Sequence, residues 1–82
     1  MPTVRARNRY ERAQEIVSRV QMVNESLTAK QILERIIDAG MGGHPYAPHN
    51  PTAVGSRLTS SPRWIKEKTE GNKREIKWRR IA

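Results

Sequence analysis

The run Thr28 to Gly40, TAKQILERIIDAG, constrains the fold more than any other stretch of the chain. Ala29, Ile32, Leu33, Ile36 and Ile37 recur at the three- and four-residue spacing that puts them on one side of an α-helix, opposite Lys30, Gln31, Glu34 and Asp38. Thr28 stands where a helix cap belongs, because its hydroxyl can satisfy an unpaired amide two or three residues on. Gly40 is the natural stop, since glycine takes the left-handed conformation that closes a helix. This apolar face is a core face, and the rest of the chain has to supply its partners.

The first partner is the segment from Arg7 to about Val23. There Tyr10, Ala13, Ile16, Val17, Val20 and Val23 share one side of a helical period, while Glu11, Glu15, Ser18 and Met22 project away. Asn24-Glu25-Ser26-Leu27 breaks the pattern, and Leu27 permits only a brief extended segment. Met41 to Asn50, MGGHPYAPHN, holds two glycines, two prolines and two histidines and cannot be a regular element. A third, short helix then runs from about Pro51 to Ser60: Asn50 caps it, Pro51 suits its first position, and Ser61-Pro62 ends it. Val54 and Leu58 point inward with Pro51 beside them. The tail reads as a two-stranded hairpin, RWIKEKT against KREIKWRRI, with Glu70-Gly71-Asn72 as the turn. Trp64 or Ile65, and Ile76 with Trp78, face the helices; Lys66, Lys68, Lys77 and Arg79 remain wet.

Helix, short extended piece, helix, loop, short helix and hairpin is the element order of a small winged helix, an α+β fold. Residues 1–82 form one such domain, with 1–6 as a flexible basic arm. At this length roughly 60% of the unfolded chain's surface can be buried, which argues against a large enclosed active site. Without cysteine there is no disulfide, thiolate metal site or thiol chemistry. No apolar run approaches the roughly 18 residues of a membrane span, and the arginines at the start are not followed by an apolar signal core. The expected location is cytoplasmic, with nucleoid association in a prokaryotic or viral setting.

Charge is the strongest global signal. The chain carries 16 Lys and Arg against 8 Asp and Glu, a net +8. Residues 1–26 hold five basic and three acidic side chains, 27–50 two of each, and 51–82 nine against three. A field so concentrated draws polyanions.

Three runs then support a family resemblance: EIVSRVQMVNESLTAKQILERIIDAG, HPYAPHNPTAVGSRLTSSPRWIKE and GNKREIKWRRI. Together they resemble the HARE-type winged helix-turn-helix domain of DNA-linked proteins. That family likewise has a Leu-Thr entry to an Ile-rich second helix ending in Gly, a loop, a Thr-containing third helix and a hairpin. The resemblance spans about residues 13–81 and rests on loose aliphatic patterns. It implies the winged fold and a DNA-linked role. The MGGHPYAPHN loop and the strongly basic wing depart from the pattern.

On the third helix, Thr52, Ala53, Ser56, Thr59 and Ser60 point outward and Arg57 lies at the edge. Small hydroxylated side chains let a helix approach a groove closely, Ser and Thr bond phosphates or base edges, and Arg reaches guanine O6 and N7. Arg63, Lys66, Lys68, Lys73, Arg74 and Lys77 on the hairpin are spaced to follow a sugar-phosphate backbone, and Asn72 at its tip is small enough for a groove. Asn50, Thr52, Ser56, Arg57, Thr59, Ser60 and these hairpin residues form the candidate DNA-binding set, with Arg57 expected to set specificity. Arg5, Arg7 and Arg9 offer a minor-groove arm.

His44 and His49, five apart without cysteine or a nearby acid, make at most half a zinc site, so no metal or other cofactor is expected. Serines and threonines have no base and orienting acid beside them, and there is no P-loop, so no enzyme is expected. The expected function is double-stranded DNA binding, as a transcriptional regulator or architectural protein. The alternatives are an adaptor docking on an acidic surface of polymerase or another DNA-bound protein of the transcription machinery, and a binder of structured RNA. No membrane partner is expected, and a homodimer is left open.

Overall fold

A computed structural model describes residues 8–68 and 76–82. Six elements follow in order: α1 (Arg9–Val20), β1 (Ser26–Thr28), α2 (Ala29–Asp38), α3 (Pro51–Thr59), β2 (Trp64–Lys68) and β3 (Ile76–Arg80). Three helices pack on one face of a three-stranded antiparallel sheet of order β1-β3-β2. The expected arm, residues 1–6, and the turn at Glu70-Gly71-Asn72 lie outside the described residues.

Local sequence chemistry sets most helix ends. Asn8 caps α1, its Oδ1 accepting from the Glu11 amide at 2.8 Å. Thr28 and Gln31 form a capping box on α2: the Thr28 hydroxyl accepts from the Gln31 amide at 3.1 Å, and the Gln31 carboxamide accepts from the Thr28 amide at 2.9 Å. At the other end Gly40 takes a φ of +77°, and the Gly40 and Met41 amides donate to the Ile37 and Ile36 carbonyls. That is the paired closure a left-handed glycine permits. Asn50 caps α3 through the Ala53 amide at 2.7 Å, with Pro51 in the first turn.

The first helix stops at Val20, short of the expected Val23, and a buried side chain gives the reason. Gln21 turns extended and sends its carboxamide into the core. Its Nε2 donates to the carbonyls of Glu25 and Trp78, both at 2.7 Å, while its Oε1 accepts from the Trp64 indole N–H at 2.8 Å. Val23 consequently leaves the apolar face and is exposed. The freed end of α1 is closed by Arg80, whose Nη1 donates to the carbonyls of Ser18 and Gln21 at 2.8 and 2.6 Å, a cation at the negative pole of the helix.

The sheet has one strand more than the expected hairpin. Ser26, Leu27 and Thr28 stand opposite Arg79, Trp78 and Lys77, so the brief extended segment covers the edge of β3 that a two-stranded hairpin would leave open. In β2 and β3, Trp64 pairs with Arg80, Lys66 with Trp78 and Lys68 with Ile76. Because side chains alternate, Trp64, Lys66, Lys68, Ile76, Trp78 and Leu27 share the helix-facing side; Ile65, Glu67, Lys77, Arg79 and Ser26 occupy the other. Trp64 is therefore the core residue of the Trp64-Ile65 pair, and Ile65 is 47% exposed.

Ile16, Val17, Leu27, Ile32, Ile36, Val54, Leu58, Trp64 and Trp78 form the core with Ala47 of the Met41–Asn50 loop. Two expectations about it change. Ile37 is 65% exposed, since a ten-residue helix presents its buried stripe through Ile32 and Ile36 and the fifth apolar position rotates past the contact. The returning chain passes close by: a Cβ on Gly42 would stand 3.2 Å from Ile37 Cγ1. Pro51 is exposed on the surface of α3 instead of lying beside Val54 and Leu58. Among the described residues no helix is long and apolar enough to cross a membrane.

Candidate nucleic-acid interface

With Val54 and Leu58 buried, the roughly 100° step of an α-helix puts Ser56 on the outermost ridge of α3. Thr52, Gly55 and Thr59 then lean toward the sheet, and Ala53 and Arg57 lean toward α1 and the loop. Each flank borders a separate cleft.

The cleft on the sheet side has a volume of about 550 Å³. One wall is Pro51, Thr52, Gly55 and Thr59 of α3; the opposite wall is Lys66, Ile76 and the edge of Trp78; Thr28, Ala29 and Lys30 at the start of α2 close the end. Lys68 projects from the same side of the sheet one pleat farther out. Two helices begin here, and neither has an acid in its first turn. Their amide poles and the Lys30 and Lys66 ammonium groups give the cleft a positive field, and no carboxylate lines it among the described residues.

Gly55 holds this cleft open. Its position would accept a side chain, because a Cβ there would meet Trp78 Cζ2 at 3.5 Å, an ordinary contact. The hydroxyls around it are tied to the helix they sit on: Thr59 Oγ1 donates to the Gly55 carbonyl at 2.7 Å, and Ser56 Oγ to that of Ala53 at 3.3 Å. Thr52, Ser56 and Thr59 are all exposed residues.

The cleft on the other flank, about 450 Å³, lies between Arg9, Arg57 and Ala53 on the helices and Tyr46 and His49 in the loop. The Arg57 guanidinium lies over the Tyr10 ring, 4.4 Å from its centroid, and Nη1 donates to Ser56 Oγ at 3.3 Å. Arg12 lies over Tyr46 at 4.8 Å, and the His44 Nδ1 accepts from the Tyr46 amide at 3.1 Å, so His44 serves the turn of its own loop. No three His, Cys, Asp or Glu side chains converge on a metal-sized site among the described residues.

The candidate set is thus only partly brought together. Thr52, Thr59, Lys66 and Lys68 share the sheet-side cleft or its rim, with Ser56 on the ridge above. Asn50 spends its side chain on the α3 cap. Ser60 turns toward α1, where Gln14 Nε2 reaches its Oγ at 3.4 Å and the Arg57 carbonyl at 2.7 Å. Arg63 sits at the far end of β2, over the Trp64 ring and bonded to the Ala82 carbonyl at 3.2 Å. It borders a third cleft of about 560 Å³ that contains Glu11 and Glu15, a poor surface for a polyanion. Lys77 is on the opposite side of the sheet, directly across from Glu67. Arg9 lies in the loop-side cleft; Arg5, Arg7, Asn72, Lys73 and Arg74 lie outside the described residues.

On the outer side of the sheet the carboxyl of Glu67 accepts from the Ser26 hydroxyl and from Arg79 Nε, the latter at 2.8 Å; these bonds, the hydroxyl first, hold it below the usual carboxylate range. Glu25 is likewise held low, chiefly by bidentate bonds from Arg35 at 2.6 and 2.7 Å. Both acids are occupied by their own cations away from the sheet-side cleft.

Lys30 lines the sheet-side cleft, whereas sequence periodicity placed it only on a polar helix face. A signal for it existed: a lysine directly behind a helix cap opposes the dipole, whose positive end favours acids. Comparison with protein-family models, curated proteins and solved structures gives no match to this chain.

Proposed function

We propose that the protein binds double-stranded DNA as a winged-helix module, with α3 directed to the major groove and the β2–β3 wing along the adjoining backbone. The observation that carries this reading is the sheet-side cleft. Small and hydroxylated residues form one wall, Lys30 and Lys66 with two helix N-termini surround it, and carboxylates are absent from it among the described residues. A helix about 10–12 Å across with its side chains fits a major groove about 12 Å wide, and a small exposed face lets its backbone approach closely. Thr52, Gly55, Ser56 and Thr59 keep that face small. Phosphates draw on the positive field, while the hydroxyls address base edges or phosphates. A regulatory or architectural role follows from such binding without any catalytic step.

The test is a fluorescence-anisotropy titration of a short random-sequence DNA duplex at increasing salt, with a matched RNA duplex alongside. Three phosphate contacts from Lys30, Lys66 and Lys68 give a slope of log K against log salt of about −2.7 or steeper, roughly a 40-fold loss for a fourfold rise in salt. Lys66→Ala makes the slope shallower by about 0.9. Absent binding or a flat salt response refutes the proposal, and preference for the RNA duplex redirects it to RNA.

A further inference from the structure

We infer that the loop-side cleft is a second phosphate clamp, in which Arg57 grips the DNA backbone on the flank of α3 opposite the wing. This rests on the DNA-binding reading above and changes the role expected of Arg57 from reading bases to holding phosphate.

Position on the helix is the first reason. A helix lying in a groove presents its outer ridge to the base edges and its flanks to the two phosphate walls. Ser56 occupies the ridge, whereas Arg57 is rotated about 100° toward α1. Its guanidinium is also held back by stacking on Tyr10, 4.4 Å from the ring centroid, and by the bond to Ser56 Oγ. A stacked arginine has less rotamer freedom to lose, and its planar donors match two oxygens of one phosphate.

The surroundings are the second reason. Arg9 and His49 line the same cleft of about 450 Å³ with Tyr46, and no carboxylate lines it among the described residues. The charge on this flank comes from the Arg9 and Arg57 side chains. Ala47 anchors the loop in the core, which fixes this wall relative to α3. The two clefts flank α3 as two rails. Lys30, Lys66 and Lys68 face one strand of the duplex, and Arg57 with Arg9 faces the other.

The experiment compares wild-type protein, Arg57→Ala and Arg57→Lys on a randomised DNA duplex pool, with bound sequences read out and affinities measured by anisotropy across salt. A clamp predicts that Arg57→Ala weakens every sequence on the order of tenfold, leaves the enriched sequences unchanged and makes the salt slope shallower by about 0.9. Arg57→Lys, which keeps the charge and loses the fork, restores the slope. The Arg57 side chain is half-buried over Tyr10, and circular-dichroism melting of each variant confirms that it is folded. Altered enriched sequences, or an unchanged slope, overturn the clamp while leaving DNA binding in place. Wild-type protein that binds no duplex overturns both.

Discussion

Gly55→Ala separates what α3 does for the fold from what it does for a ligand. Within a helix, glycine costs roughly 0.5–1 kcal/mol relative to alanine, because the unfolded chain loses more freedom. Nothing at this position requires glycine. It lies within regular α-helix, and the added methyl would meet Trp78 Cζ2 at 3.5 Å, with no other contact under 4 Å outside its own helix. The variant should therefore gain about 0.5–1 kcal/mol. For a domain of this size that raises Tm by about 2–8 °C, and it moves the urea midpoint upward. The same methyl stands on the wall of the sheet-side cleft, where it keeps a groove edge from approaching. A cost on the order of 1 kcal/mol in binding, about fivefold in Kd, is expected from one methyl at a close contact. Circular-dichroism melting and anisotropy on one preparation measure both. A fall in Tm would show that the fold itself requires glycine. A rise in Tm with unchanged duplex affinity would show that the gap serves no nucleic acid.

Gln21→Met removes three hydrogen bonds and strands the buried Trp64 N–H, while the Glu25 carbonyl keeps the Arg80 amide, at a cost of about 1–3 kcal/mol. Urea unfolding followed by tryptophan fluorescence measures it, and a loss below about 1 kcal/mol would mean that the carboxamide is incidental. Glu25 and Glu67 are held below the ordinary carboxylate range, so the folded state binds their protons less readily than the unfolded chain. Their contribution is present in full above that range and is lost as pH falls through it toward the lower folded values. Melting temperature should fall across this acid window, modestly because both carboxyls are solvent-accessible, and Glu25→Gln should flatten part of the slope. A wild-type Tm independent of acid pH would count against these ion pairs.

The elements that rest on local chemistry were legible in the sequence. Thr28, Gly40, Asn50 and Pro51 act within a few residues of themselves, and each sits where its backbone role requires. Long-range pairing was less legible. β1 has a single buried residue, Leu27, and its place in the sheet depends on β3, some fifty residues away. Gln21 was invisible to hydrophobic periodicity because a buried amide looks like a surface residue until its three partners converge. For the candidate interface, residue type marked Thr52, Thr59, Lys66 and Lys68. Direction sorted out the others: strand alternation turns Lys77 to the far side, and helix rotation takes Arg57 to the other flank.

The sheet-side cleft also gathers choices that work against local stability. Lys30 opposes the dipole of α2, at a cost of about 0.3–1 kcal/mol, and Gly55 weakens α3 by a similar amount. Ile76 is only partly covered where it packs against the core. The helix ends follow the local rules closely: a capping box on α2, a glycine stop, an acid in the first turn of α1, and a cation closing its end. A small domain with roughly 5–15 kcal/mol to hold it together is sensitive to 1–2 kcal/mol of such concessions. Their meeting at one groove, where each adds positive charge or close access, is accounted for if a polyanion repays the cost on binding. The Gln21 node then has a second consequence. By joining the end of α1 to Trp64 and Trp78, it fixes the sheet against the helices, and so sets the spacing between Lys66 and the outer face of α3 that a duplex would have to match.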